Sequence, residues 1–202
     1  YEGPAAEETL AGMGAPIPKV PYSHLDWMGR IVARVSVTGA PGFRIYGPKD
    51  GAATLTPADA ESIRLVRLEH AKPRYGEDIF ETTLPQETRQ THALHFSKGC
   101  YIGQEIVERI RSRGHVNRAL TALRIDAAEP PAAGTGLFAG GGEAGEITSA
   151  AFSPALGKVV ALGYVRTQFS APGTKIKAGD ADAVIEPVAG SAEASPAPRS
   201  EC

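Results

Sequence analysis

The spacing of hydrophobic positions changes rhythm three times along the chain. Residues 5–13 carry a weak helical spacing and run into a Gly/Pro connector. Ile31-Val-Ala-Arg-Val-Ser-Val37 then places Ile31, Ala33, Val35 and Val37 on one face, the period of two that marks a strand. The turn Gly39-Ala-Pro-Gly42 and the alternation in Phe43-Arg-Ile-Tyr46 complete a predicted hairpin. Thr56-Pro57-Ala-Asp59 predicts a helix start, with a hydroxyl cap, a proline at the first helical position and a carboxylate in the first turn. Pro73 limits that helix to about His70. Leu84-Pro85-Gln86-Glu87 opens a second, shorter helix toward Leu94, and a third runs from about Gly103 to Arg111. Ile102, Ile106 and Ile110, four apart, are predicted to line one buried face of this third helix.

Beyond Gly114 the helical spacing gives way to short alternating runs. Strands are predicted over Arg118–Asp126, Glu146–Ala150 and Lys158–Arg166, with a last one around Thr174–Lys177. Gly134-x-Gly136, Gly140-Gly-Gly142 and Pro172-Gly173 supply the turns between them, a rhythm that fits a small sandwich or barrel. From Pro187 the composition is of low complexity and predicts a disordered tail. The expected organisation is an α+β domain over 1–113, a β domain over 114–186 and a tail over 187–202, with no internal repeat.

Composition adds bounds. The length of 202 residues fits one domain or two small ones, and 42% hydrophobic residues are enough for a core. Charged residues make up 22% and nearly balance at −2, which argues against a polycation or an acidic tail protein. No apolar run approaches the ~18 residues of a membrane span. The two cysteines, Cys100 and Cys202, allow at most one disulfide, so a reduced compartment is expected: cytoplasm, or mitochondrial matrix in a eukaryote. The chain opens on Tyr1 with no signal-like segment after it, and a fragment of a longer protein is the expectation.

The segment richest in chemistry is Lys98-Gly-Cys-Tyr-Ile-Gly-Gln-Glu105. Cys100 stands just before a predicted helix, where unpaired N–H groups and the helix dipole favour negative charge, and Lys98 is two residues away. Both features favour a thiolate, the form that attacks or binds metal. A small buried hydrophobe is an equally good reading from chemistry alone. Gly99 and Gly103 permit a tight turn or the close approach of a ligand.

From Lys98 to Arg118 five Lys/Arg (Lys98, Arg109, Arg111, Arg113, Arg118) face two acids (Glu105, Glu108), a local balance of +3. Such a patch suits a polyanion such as the glutamate tail of a folate, or else is a solvated helix face with Glu105–Arg109 as an i, i+4 pair. Without interleaved aromatics, nucleic acid is not expected. His92 and His95 would share a face on a helix, but no second cysteine completes a ligand set, so no metal site is assigned. No orienting partner for a Cys–His hydrolase is evident. Gly134-x-Gly136 lacks the third glycine and the βαβ context of a nucleotide fingerprint.

Lys98-Gly-Cys-Tyr-Ile-Gly-Gln-Glu105 closely resembles the signature of the YgfZ family, folate-binding relatives of the glycine-cleavage aminomethyltransferase that support iron–sulfur cluster assembly or repair. Thr38-Gly-Ala-Pro-Gly-Phe-Arg-Ile-Tyr46, Arg67-Leu-Glu69, Pro73-Arg-Tyr-Gly-Glu-Asp78 and Leu84-Pro-Gln-Glu87 also resemble family segments, and Leu120–Ile176 is similar to the family's C-terminal β-barrel. The resemblance covers about Ile31 to Ile176. It implies part of a split, ferredoxin-like folate-binding domain followed by a small β-barrel, with tetrahydrofolate as cofactor. It also implies Cys100 as the functional thiol, with Lys98, Gly99, Tyr101, Gly103, Gln104 and Glu105 at the folate. Implied partners are iron–sulfur client or assembly proteins.

The chain departs from the family in three places. The family's first part, with one wall of the folate cavity and the catalytic Asp of the aminomethyltransferases, is not in this sequence. Arg44 stands where those enzymes place a carboxylate that grips the pterin, and guanidinium is a donor only. Thr88-Arg-Gln90 replaces the small, apolar residues expected there. A lone cysteine cannot hold a cluster whose irons take four protein ligands, so contact with one would need a partner, a folate or a small thiol. The expected function is an auxiliary one in iron–sulfur maturation. Two alternatives stand beside it: a folate-dependent aminomethyl transferase or demethylase, and a module that docks protein or RNA through its basic helix.

Overall fold

The computed structural model describes residues 1–48, 57–96 and 98–188. The expected helix cap Thr56, Ser97 just before the signature, and residues 189–202 of the expected tail lie outside them; Val188, placed in that tail by the sequence, is buried. The chain packs as two compact units, 1–72 and 73–202, and the expected boundary at 113 falls inside the second. No helix among the described residues is long and apolar enough to cross a membrane.

In the first unit, helix α1 (Ala6–Gly12) precedes an antiparallel sheet of β1 (His24–Trp27), β2 (Arg30–Ala33) and β3 (Arg44–Tyr46), in that order. The hairpin expected from 31–46 is the β2–β3 pair, and β1 adds a strand that the sequence pattern did not announce. Its buried face is the reverse of the expected one. Val32 is fully buried against Leu10 and Phe43, whereas Ile31 and Val37 are exposed. Packing with distant residues decides this: Val32 stands opposite Leu25 and Ile45, and of that row Val32 and Ile45 meet the core at Leu10 and Phe43 whereas Leu25 is exposed.

Glu2 clamps the turn that leads into β3. Its carboxylate accepts from Val37 N at 2.8 Å, Thr38 N at 2.9 Å, the Thr38 hydroxyl and Ser36 Oγ at 3.1 Å. Burial pushes this carboxyl up, but the bonds from Thr38, Val37 and Ser36 together outweigh it and hold it below the usual glutamate range. Helix α2 (Ala60–Glu69) follows, capped by Asp59, which accepts from Ser62 N at 2.8 Å.

The second unit is built on a closed antiparallel barrel. Its strands are β4 (Arg118–Ile125), β5 (Gly136–Ala139), β6 (Gly142–Ser153), β7 (Lys158–Arg166), β8 (Lys175–Ala178) and β9 (Ala181–Glu186). They pair in the order β4-β7-β6-β5-β8-β9, and β9 returns to β4. The fold class is thus α+β with a small terminal barrel, as the sequence led one to expect. The last strand is β9 rather than the run around Thr174–Lys177, and only β9 closes the sheet, which leaves no open edge. Leu123, Ile125, Leu137, Ile147, Val159 and Ile185 fill the interior.

The β6–β7 register slips by one between Ile147 and Ser149, so Thr148 is an extra residue, a β-bulge. Adjacent strand residues ordinarily point to opposite faces. The bulge instead turns the hydroxyls of Thr148 and Ser149 onto one acceptor, the buried Asp78 carboxylate. Asp78 also accepts from Arg74 N at 3.0 Å through its other oxygen, and its carbonyl accepts from Tyr164 OH at 3.1 Å. Burial raises the Tyr164 hydroxyl above its ordinary value. The segment that leads toward the signature is thereby fastened to the barrel wall.

Two stability measurements test this account. Asp78→Ala leaves the Ser149 hydroxyl and the Arg74 amide without this acceptor, Thr148 keeping the Leu162 carbonyl, and chemical denaturation should show a loss above about 3 kcal/mol. A loss below about 1 kcal/mol would contradict the clamp. At Gly145 an added Cβ would lie 1.9 Å from the Tyr164 carbonyl oxygen, whereas at Gly134 (φ +84°) it meets nothing. Gly145→Ala should abolish the folded barrel, and Gly134→Ala should cost only about 1 kcal/mol from its backbone. Equal melting temperatures for the two variants would refute the close packing.

Candidate functional site

The clamp at Asp78 leads to two 3₁₀ turns, Pro85–Thr88 and Thr91–Ala93, where the sequence pattern predicts one helix. Arg89 between them is left-handed (φ 56°), which ends the first turn. Its guanidinium donates to Ser170 Oγ at 2.6 Å and to the Ser170 carbonyl, and burial lowers its pKa. Glu87, also buried, accepts from Arg118 Nε of β4 at 3.3 Å, and the Arg118 guanidinium lies 4.7 Å from the Tyr164 ring centroid. These polar contacts bolt the turn to the barrel.

From that turn Gln86 reaches the signature helix, its Nε2 donating to Val107 O at 3.0 Å. Helix α3 (Gln104–Arg113) starts after Gly103, whose φ of +87° requires glycine or strain. Gln104 folds back so that its Oε1 accepts from Tyr101 N at 3.4 Å. Lys98 Nζ lies 4.2 Å from the Tyr101 ring centroid, a cation–π contact, and Arg111 covers Phe96 at 4.3 Å.

The apolar face of α3 is not the expected one. Ile102 is fully exposed and Ile106 largely so, while Val107 is the buried residue. Ile102 precedes the helix, so helical spacing does not govern it, and Ile110, the third of the expected row, is half-buried. His92 and His95 likewise share no helix, because the second 3₁₀ turn stops at Ala93 and Leu94 is extended. Among the described residues no group of three or more His, Cys, Asp or Glu stands close enough to hold a metal ion.

Of the residues singled out in the sequence, Lys98, Gly99, Cys100, Gly103 and Glu105 are exposed, and Tyr101 and Gln104 are half-buried. They lie together because they are consecutive. The tertiary contribution is the support behind them: Gln86, Glu87 and Asp78, which were not read as functional, and Arg118, which was read as part of the basic patch and pairs instead with Glu87. The segment Leu84-Pro-Gln-Glu87, read as a helix start, was the available signal for Gln86 and Glu87. Asp78 had none, since its side-chain partners Thr148 and Ser149 are 70 and 71 residues distant.

A set of likenesses bears on this arrangement. Residues 118–187 match the family described as glycine cleavage T-protein C-terminal barrel domain. An aminomethyltransferase of Thermosynechococcus vestitus is 30% identical over 190 residues, covering 87% of this chain and 52% of that protein. One from Rubrobacter xylanophilus is 31% identical over 188 residues, covering 81% and 48%. The chain therefore spans about half the length of the curated relatives it matches. The crystal structure of glycine cleavage system aminomethyltransferase T from Bartonella henselae shares the fold, with a TM-score of 0.69 at 24% identity over 92% of this chain and 56% of that one. These likenesses support the aminomethyltransferase superfamily for this chain. They do not extend to the narrower YgfZ family.

The exposure of Cys100 has a direct test. In a Cys202→Ser background a maleimide should react with native Cys100 within about threefold of its rate in the unfolded chain. A native rate lower by about a hundredfold would show a protected thiol instead.

Proposed function

We propose that the chain serves in folate-dependent one-carbon transfer of the aminomethyl type, as part of a protein built like the aminomethyltransferases. The observation that carries this reading is the likeness to those enzymes, which runs through both units rather than through the barrel alone. Tetrahydrofolate is the proposed acceptor, and it would supply the nitrogens that take up the one-carbon unit. The +3 balance between Lys98 and Arg118 suits the anionic glutamate tail, with Lys98 and Arg109 on the exposed side.

The pterin ring is a different matter. Lys98, Gly99, Gly103 and Glu105 stand on open surface, and a flat, polar ring needs enclosing walls to gain from burial. The residues described do not by themselves fit it, so no step is routed through the folate here. This part of the site belongs to a longer form of the protein in the proposal.

A second reading follows from Cys100. An exposed thiol inside Lys98-Gly-Cys-Tyr-Ile-Gly-Gln-Glu105, with Arg44 where a pterin-gripping carboxylate would stand, favours an auxiliary role in iron–sulfur maturation. Partners under that reading are iron–sulfur client or assembly proteins, met through the thiol.

One pair of measurements separates the two. A full-length form should bind tetrahydrofolate in calorimetry and turn over an aminomethyl donor, and Cys100→Ser should leave that turnover within about twofold. Folate binding without turnover, together with loss of iron–sulfur enzyme activity in cells that carry only Cys100→Ser, would overturn transfer in favour of the auxiliary role.

A further inference from the structure

Strand β1 stands at one end of the three-stranded sheet, beside β2, and His24, Leu25 and Asp26 are all exposed. Both ends of the β1–β2 ladder show which backbone groups face its open side. At one end Trp27 and Arg30 flank a two-residue turn, Met28-Gly29, with φ of 49° and 76°. Such a type I′ turn is closed by a pair that exchanges both bonds. At the other end Arg34 N donates to Ser23 O at 3.0 Å and Arg34 O accepts from Tyr22 N at 2.9 Å, so Arg34 also bonds toward β1. Counting by twos from Arg30 or from Arg34 reaches Val32, which makes Leu25 and Val32 a bonded pair. His24 and Asp26 therefore turn their N–H and C=O away from β2, to the edge.

An antiparallel partner would bond at His24 and Asp26, and a second copy of β1 offers the same two residues. Asp26 opposite the partner's Asp26 sets like charges against each other. His24 opposite the partner's His24 gives neither imidazole a carboxylate, and it runs Asp26 onto the partner's Tyr22, where a left-handed residue (φ 63°) breaks the strand. His24 opposite the partner's Asp26 gives each carboxylate an imidazole, which has an N–H to donate in either protonation state. That last register also sets Leu25 opposite the partner's Leu25, in the non-bonded position where side chains come closest. Leu25 is 43% exposed although Val32, beside it in the same row, is fully buried. Beyond the ladder the exposed Tyr22 is brought toward the partner's Met28, itself exposed.

We infer that two copies of the chain associate edge to edge through β1, as a two-fold antiparallel pair with His24 opposite the partner's Asp26 and Leu25 opposite the partner's Leu25. The patch is self-complementary, as a two-fold interface must be. A charge on an edge strand often blocks pairing; here it selects one register among three. The ladder is short, so the pair is weak, with a dissociation constant on the order of 100 µM. The inference rests on the backbone of the first unit and not on the folate reading, so either can fail alone.

Sedimentation equilibrium of the 202-residue chain, kept reduced so that Cys100 and Cys202 form no cross-link, should show monomer and dimer in exchange. Over the same concentration range amide exchange should slow at His24 and Asp26 as the dimer fills. Leu25, already bonded to Val32, should not change. His24→Asp sets two carboxylates opposite each other and should weaken association at least about tenfold. Adding Asp26→His to it restores opposite partners and should return the constant to within about threefold of the parent's. Both positions are exposed, so the variants keep the fold. A chain that stays monomeric up to about 1 mM would overturn the proposal. A dimer with unchanged exchange at His24 and Asp26, one indifferent to His24→Asp, or one that the double variant does not restore would overturn it as well.

Discussion

The second unit depends on a single buried carboxylate and on a break in strand alternation that lets it be satisfied. Asp78 is fully buried, and an unpaired charge there would cost several kcal/mol. A regular strand β6 could offer it only one of two neighbouring hydroxyls. The bulge at Thr148 offers both, and Arg74 N occupies the second oxygen. Nonlocal polar bonds of this kind are directional, so they fix where the segment crosses the barrel wall as hydrophobic contact alone would not.

From that anchor the supports pass in sequence toward the signature. Glu87 pairs with Arg118 on β4, Arg89 is held by Ser170, and Gln86 holds the carbonyl of Val107 in α3. The first two partners lie on or beside the closed barrel, which has no free edge along which to shift. The helix that follows Cys100 is therefore held by a side-chain contact from that base, while Ile106 on its outer face and Ile102 just before it stay exposed.

This division suits the superfamily reading. A barrel that matches a recognised terminal domain provides the scaffold, and short loops and turns present the polar groups. Arg44 stands on the exposed face of β3, and its guanidinium is a donor only. A donor-only group there changes which part of a ligand could be held at that strand.

Local chemistry was enough to write most of the element order into the sequence. Glycine turns, the start of α2 and runs of alternation are decided by residues within a few positions of one another, though the cap is Asp59 where Thr56 was expected, and the signature around Cys100 is a contiguous string. Which face of each element is buried was another matter. Val32 rather than Ile31 enters the core, beside Leu10 and Phe43, and Val107 rather than Ile106 is the buried residue of α3, both settled by packing between segments distant in the chain. Strand β9 and the Asp78 clamp were equally hidden, one requiring a partner about sixty residues away and the other a bulge whose effect exists only once two strands are paired. Short-range preference determined the elements; long-range pairing, which no local window contains, decided their faces, their closure and the support beneath the site.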